Sequence, residues 1–473
     1  MRLWTREEIL WRAANEPGPL ADEFLVLQRR LHDLEIRAAQ NSTNSGKPPS
    51  SDGPGKPAPK SQRERGARAS GGQPGHRGHT LQPVTDPDAV IIHALECCPC
   101  GCGCSLRDQP ILAHEVRQVF ELPPHKLVVT AHRVEVKLCP VSGRAVSAAF
   151  PPGVDAPTQY GARYHSWLAY LRVAQLMPLR RIRQMAEDLF GQPVSEATVE
   201  CAVHTTNDAL RPFESALVAA LKRSPVLHAD ESGLRVEGKL YWLHVLCSDR
   251  LTWYAVHARR GSAAIADFGI LKDFSGRLVH DCMQSYFALP CTHSLCNSHL
   301  LRELTFLHEE LGEQWAADMN ALLLEMYVQR RRWNSSEIVP TSEQITAFHA
   351  RYQIVLTQGY LEQPPPVRTG KRGRPKRTKA YNLLDRLRKH QAAILAFLRD
   401  PSIPFTNNQA ERDLRMLKVQ QKVSGCFRTL AAAQTFARIR SYISTVRKHG
   451  LDILATLRDA LAGAPFCPSY SGP

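Results

Sequence analysis

The apolar positions of the chain change period several times, and each change marks a boundary. Phe24, Leu27, Leu31, Leu34 and Ala38 recur at steps of three and four with charged residues between them, which predicts a helical segment over 1–40 with a two-heptad seam. That seam suits a coiled-coil partner and packing on its own chain equally well. Over 41–83 almost nothing is apolar, so little burial offsets the entropy of ordering, and a disordered linker is expected. Over 84–150 the period becomes two: residues 116–122 alternate, as do Val134, Val136 and Leu138, which predicts a hairpin turning near Pro123-Pro124-His125. From 155 to 222 the spacing of Ile182, Met185, Ala186 and Leu189 is helical, Gly191-Gln192-Pro193 breaks it, and Ser195 is placed to cap the next helix. Such a pair suits a helix-turn-helix, although most helix pairs do not read DNA.

The period changes again at Pro225. Val226-Leu227-His228-Ala229-Asp230 reads as a short strand ending on an acid, followed by strands over Leu240–Cys247 and Leu251–Val256 and a helix over Ser262–Leu271. Arg277-Leu278-Val279-His280-Asp281 then reads as a buried strand that again ends on an acid. Strand, strand, strand, helix, strand is the order of an RNase H-like α/β core, in which the first and fourth strands lie side by side. The expected architecture is multidomain α+β, with the core in two parts, 223–288 and 400–448, and a tail over 449–473. Between the parts, Asp281 and Glu411 are 130 positions apart, too far for a loop. Amphipathic patterns over 301–330 and 381–398 predict a helical insertion over 289–399.

Composition adds a partner. Lys and Arg number 60 against 45 acids, a net charge of +15 with a pI near 9.3, which favours a polyanion such as nucleic acid. The charge is concentrated: the 41–83 linker holds seven cations and two acids, and 368–379 holds seven cations and no acid. Within the latter, Arg372-Gly373-Arg374-Pro375 resembles an AT-hook core suited to a narrow minor groove, and a solvated loop holding phosphates without sequence preference also fits. No secretory leader and no run of eighteen apolar residues is apparent, so a cytoplasmic chain without a membrane span is expected. Of the 13 cysteines, five crowd into 97–104. Cys97 and Cys100 with Cys139 suggest a zinc ribbon, although Ser142 stands where a fourth thiolate belongs; Cys102, Cys104 or a histidine remain alternatives, as do plain thiols.

Chemistry concentrates on three carboxylates. In Pro404-Phe405-Thr406-Asn407-Asn408-Gln409-Ala410-Glu411 an asparagine is placed to cap a helix that carries Glu411 in its first turn. Alone, Glu411 would pair with Arg415 four residues on. Set beside Asp230 and Asp281 it completes a triad for Mg2+ or Mn2+, because clustered acids repel unless a divalent cation neutralises them. Glu231 is an adjacent rival to Asp230, but strand neighbours point to opposite faces. Arg415 and Lys418 follow on the same helix, placed for DNA phosphates. Cys296 and His299 share a helix face; two ligands alone do not make a metal site.

These segments resemble the insertion sequence 66 family of bacterial DDE transposases. His228-Ala229-Asp230-Glu231-Ser232-Gly233 with Tyr241-Trp242-Leu243-His244-Val245 is similar to its first acidic motif, and His280-Asp281 with Cys296-Asn297-Ser298-His299-Leu300-Leu301-Arg302-Glu303-Leu304 to its second. Asn407 to Arg415, with Lys422-Val423-Ser424-Gly425 and Ser441-Tyr442-Ile443, is similar to its third. The resemblance implies a catalytic triad of Asp230, Asp281 and Glu411 that binds Mg2+, cuts the ends of an insertion sequence and joins the freed 3′-hydroxyl to target DNA. It also implies a homo-oligomer on paired element ends, small accessory proteins encoded by the same element, and a cytoplasmic place on the nucleoid. A catalytically silent DNA-binding remnant and a nuclease without strand transfer are the alternatives.

Overall fold

The computed structural model describes residues 5–40, 81–123, 125–363 and 377–469. Most of the expected linker therefore lies outside the described residues, as do Arg372 and Arg374. The chain forms two compact units, one of Met1–Ala58 with Thr130–Pro473 and one of Pro59–Val129. Cys97 and Cys100 belong to the second, Cys139 to the first.

In the smaller unit a bridge between Cys97 and Ser105 closes a tight cysteine turn. The expected strand over 116–122 does not form. Val116, Val119 and Leu122 are 74%, 88% and 73% exposed, so the alternation has neither a ladder partner nor a buried face to stabilise it.

The larger unit begins with helices α1 (Arg6–Asn15) and α2 (Pro17–Ala39). The capping box of Thr5 and Glu8 starts α1, and Arg12 pairs with Glu23 across the two helices. The apolar seam of α2 is exposed at Phe24, Leu27, Leu31 and Leu34. The hairpin expected around Pro123 appears one step later, as β1 (Val136–Leu138) pairs antiparallel with β2 (Ala145–Ser147) across a turn at Cys139–Arg144. Period-two alternation marks a strand but not its partner, and here the partner lies downstream.

Helices α3 (Ala162–Ala169), α4 (Leu179–Phe190), α5 (Glu196–Ala209) and α6 (Arg211–Lys222) follow. Gly191 ends α4 in the left-handed conformation and the Ser195 hydroxyl accepts the Thr198 N–H, as the sequence predicts. Leu168, Ile182, Val194, Val199 and Ala202 form a small core of their own.

The main sheet contains β3 (Val226–Val236), β4 (Lys239–Cys247), β5 (Thr252–His257), β6 (Arg277–His280) and β7 (Thr292–Leu295), in the order β5-β4-β3-β6-β7. The first three are antiparallel, and β6 and β7 run parallel to β3. Helix α7 (Ser262–Phe268) provides the crossover that a parallel β6 requires. Strand β3 runs six residues beyond Asp230, because Glu237 and Gly238, both at positive φ, turn it directly into β4.

After β7 come α8 (Asn297–Leu311), α9 (Gln314–Ser335), α10 (Ser342–Glu362), α11 (Lys379–Lys389), α12 (Gln391–Ile394) and α13 (Ala396–Arg399). Trp315, Leu323, Tyr352, Leu384 and Phe397 pack into a second core distinct from that of the sheet. The chain then returns through α14 (Asn408–Ser424) and α15 (Leu430–Lys448) to the sheet and ends in α16 (Ile453–Leu461). Leu414, Leu417, Phe436, Tyr442 and Val446 share a core with Leu227, Leu243 and Val245. No described helix is long and apolar enough to cross a membrane.

Candidate active site

Two adjacent parallel strands supply the first pair of acids. The register pairs Val226 with Arg277, Leu227 with Leu278 and His228 with Val279. Two residues further on, Asp230 is level with Asp281, which lies just past the end of β6.

The third acid arrives through Asn407, which locks the start of α14 against the sheet. Its amide Nδ2 donates to the Ala229 carbonyl at 2.8 Å, and its Oδ1 accepts from His228 Nδ1, also at 2.8 Å. An amide oxygen only accepts, so His228 carries its proton on Nδ1. The expected side-chain cap is therefore not formed: Asn407 occupies the N-cap position, but its side chain is committed to β3. Glu411 lies in the first turn of α14, where its charge reaches Asp230. Among the described ion pairs it has none with Arg415 and instead faces His299 Nδ1 at 4.0 Å.

The electrostatics of Asp230 record this convergence. Burial pushes its carboxyl well above the ordinary range, and Glu231, Asp281 and Glu411 push it in the same direction, while the Glu231 N–H opposes them. Glu231 is raised chiefly by burial and then by Asp281, but it has counter-groups. Arg260 Nε donates to its Oε1 at 2.7 Å and the Tyr286 hydroxyl to its Oε2 at 3.0 Å. Both carboxylate oxygens of Glu231 are thus engaged. Among the described residues Asp230 has only the N–H of the next residue, at 2.8 Å, and Asp281 Oδ1 only the Met283 N–H, at 3.3 Å. Arg260 Nη2 lies 3.8 Å from Asp281 Oδ2 and its guanidinium stacks over Trp242.

Hard carboxylate oxygens with few hydrogen-bond donors suit a divalent cation such as Mg2+, but the described groups whose ligand atoms all lie within 4.8 Å of one another place Glu411 with Cys296 and His299, not with both aspartates. Among the described residues Glu411 Oε1 is sealed from solvent without a hydrogen-bond partner. On the same helix Arg415 is exposed and Lys418 is half-buried, its ammonium pKa lowered by burial.

Arg260, Tyr286 and Asn407 carry more of the site than the sequence reading gave them. The pair Arg259-Arg260 just past β5 was the available signal, since a buried acid beside a strand end needs a cation. The thiols of Cys98, Cys100 and Cys102 lie within 4.8 Å of one another and are suited to a metal ion, and Cys98 Sγ approaches Cys100 Sγ to 2.9 Å. Cys139 Sγ accepts the Ser142 N–H at 3.5 Å within its own turn.

The sheet carries acids at adjacent strand ends, and the family match places the chain in a nucleic-acid-processing class of enzyme. Residues 157–435 match the Transposase IS66 family, and the chain belongs to that family. Residues 3–82 match a family of unknown function, DUF6444. No curated protein matches. Among solved structures, one chain of "CryoEM structure of simian T-cell lymphotropic virus intasome in complex with PP2A regulatory subunit B56 gamma" is similar at 11% identity over 46% of this chain and 74% of that one. Its TM-score of 0.13 is too low to establish a shared fold.

Proposed function

We propose that this chain is a DDE transposase that cuts the ends of an insertion sequence and joins them to target DNA, with Asp230, Asp281 and Glu411 as its catalytic carboxylates. The observation that carries the reading is the level placement of Asp230 and Asp281 on parallel strands with Glu411 in their field. The sheet order, with β3 central and its parallel neighbour β6 reached through a helix, supports an RNase H-like core. In this reading the three acids hold Mg2+ or Mn2+. When bound, such a cation neutralises the clustered charge and stabilises an in-line phosphoryl displacement.

The chain's own groups have distinct tasks. Asn407 fixes the start of the Glu411 helix relative to β3, and Arg260 with Tyr286 neutralises Glu231 so that it does not compete with Asp230. Arg415 and Lys418 hold the phosphates of the DNA strand, and the segment with Arg372 and Arg374 adds a further basic contact. Oligomeric assembly on paired element ends follows from joining two ends in one event, and small accessory proteins of the same element belong to the same reading. A structural zinc ion held by the cysteines around 97–104 would complete the metal inventory.

Incubating the purified protein with DNA carrying the element's terminal repeats, a target plasmid and Mg2+ tests the reading. Joined products are expected. Cleaved ends without any joining would favour the nuclease, and binding without cleavage the silent remnant.

A further inference from the structure

A second group of donors meets at the junction of the insertion and the glutamate helix. Cys296 is the N-cap of α8 and His299 lies in its first turn, while Glu411 lies in the first turn of α14. One ligand atom of each, a thiol sulfur, an imidazole nitrogen and a carboxylate oxygen, lies within 4.8 Å of the others. Cys296 is 2% exposed. Two of the three atoms, His299 Nδ1 and Glu411 Oε1, are sealed from solvent without a hydrogen-bond partner, and at 4.0 Å they are too far apart to bond directly. Sealed polar atoms without partners are costly, and two facing each other beside a buried sulfur call for something between them. The cysteine sulfur accepts the Asn407 N–H at 3.1 Å, which fixes it at the start of α8.

We propose that Cys296, His299 and Glu411 form a site for a thiophilic divalent cation of the Zn2+ type that shares Glu411 with the all-oxygen site of Asp230 and Asp281. Sulfur, nitrogen and oxygen together select zinc-like ions over Mg2+, and three protein ligands leave one coordination position open. Glu411 lies more than a hundred residues beyond Cys296 and His299, so the ion bridges the first turn of α8 to the first turn of α14. It thereby anchors the start of the helical insertion to the helix that presents Glu411. The inference rests on the donors alone and holds whether or not the oxygen site catalyses DNA joining.

Cobalt, which substitutes for zinc and reports thiolate ligation by a near-ultraviolet charge-transfer band, tests the assignment. The full chain carrying Cys98→Ser, Cys100→Ser and Cys102→Ser removes the exposed thiol cluster from the readout. Titrated with Co2+, it is expected to develop the band at about one equivalent. Cys296→Ser should abolish the band, His299→Gln should weaken Co2+ binding by about 10- to 100-fold or more, and Asp281→Asn should leave the band in place. Circular dichroism verifies that each variant is folded, and His299→Gln, at a partly exposed position, decides the matter should Cys296→Ser not fold. No band in the parent chain, a band that survives both Cys296→Ser and His299→Gln, or one lost with Asp281→Asn overturns the proposal. Mg2+-dependent DNA cleavage by the same proteins is scored separately, so failure of the catalytic reading is distinguishable from failure of this one.

Discussion

At the scale of single residues, the site is defined by which carboxylates are neutralised by the protein and which are not. Glu231 has a guanidinium and a phenol; Asp230 has one backbone N–H and three acidic neighbours. The sequence made these two neighbours rivals, and only their partners separate them. The raised carboxyl of Asp230 has a defined sign. Its penalty is absent below the ordinary value of 3.8 and grows as the pH rises through the folded value, so without metal it destabilises the protein at neutral pH. Asp230→Asn is therefore expected to be more stable than the wild type in EDTA at pH 7.5, by about 1–3 kcal/mol in denaturant melts. Added Mg2+ should stabilise the wild type and leave the variant unchanged. A variant less stable than the wild type in EDTA would show that Asp230 is not held among uncompensated acids.

At the scale of elements, the strand and helix order from Val226 to His280 was legible because each strand holds an apolar run bounded by turns. The insertion was legible from length alone, since 130 positions demand a core, and Trp315, Tyr352 and Leu384 supply it. Pairing was less legible. Residues 116–122 alternate like a strand yet remain exposed, β1 pairs downstream, and β7 was not foreseen because three of its four residues are polar. Alternation reports a face, and only the folded chain supplies the partner. The position of β6 depends on a close backbone approach at Gly276, where a Cβ would sit 2.6 Å from the Pro225 carbonyl oxygen and 2.8 Å from that of Ser224. Gly276→Ala should cost about 1–3 kcal/mol and shift Asp281 with the strand. Chemical denaturation checks this; an unchanged midpoint would mean that the β3–β6 junction is looser than the structure shows.

At the scale of the whole molecule, family membership over 157–435 and a net charge of +15 point to the same partner, DNA. Much of the concentrated charge lies in 41–83 and 368–379, mostly outside the described residues, so composition rather than structure identifies it. Arg415 and Lys418, in contrast, lie on the helix that carries Glu411. Replacing each by Ala should weaken DNA binding across sequences and lower the slope of log K against log salt by about 1 per residue. An unchanged slope would remove these two residues from the DNA interface. The account as a whole turns on three acids acting as one site. The most direct measurement is the rate of Mg2+-dependent cleavage and joining of terminal-repeat DNA by Asp281→Ala and Glu411→Gln proteins that are folded and still bind DNA. Both are expected to lose activity by about three orders of magnitude or more. Wild-type rates from either protein would contradict the assignment of the triad.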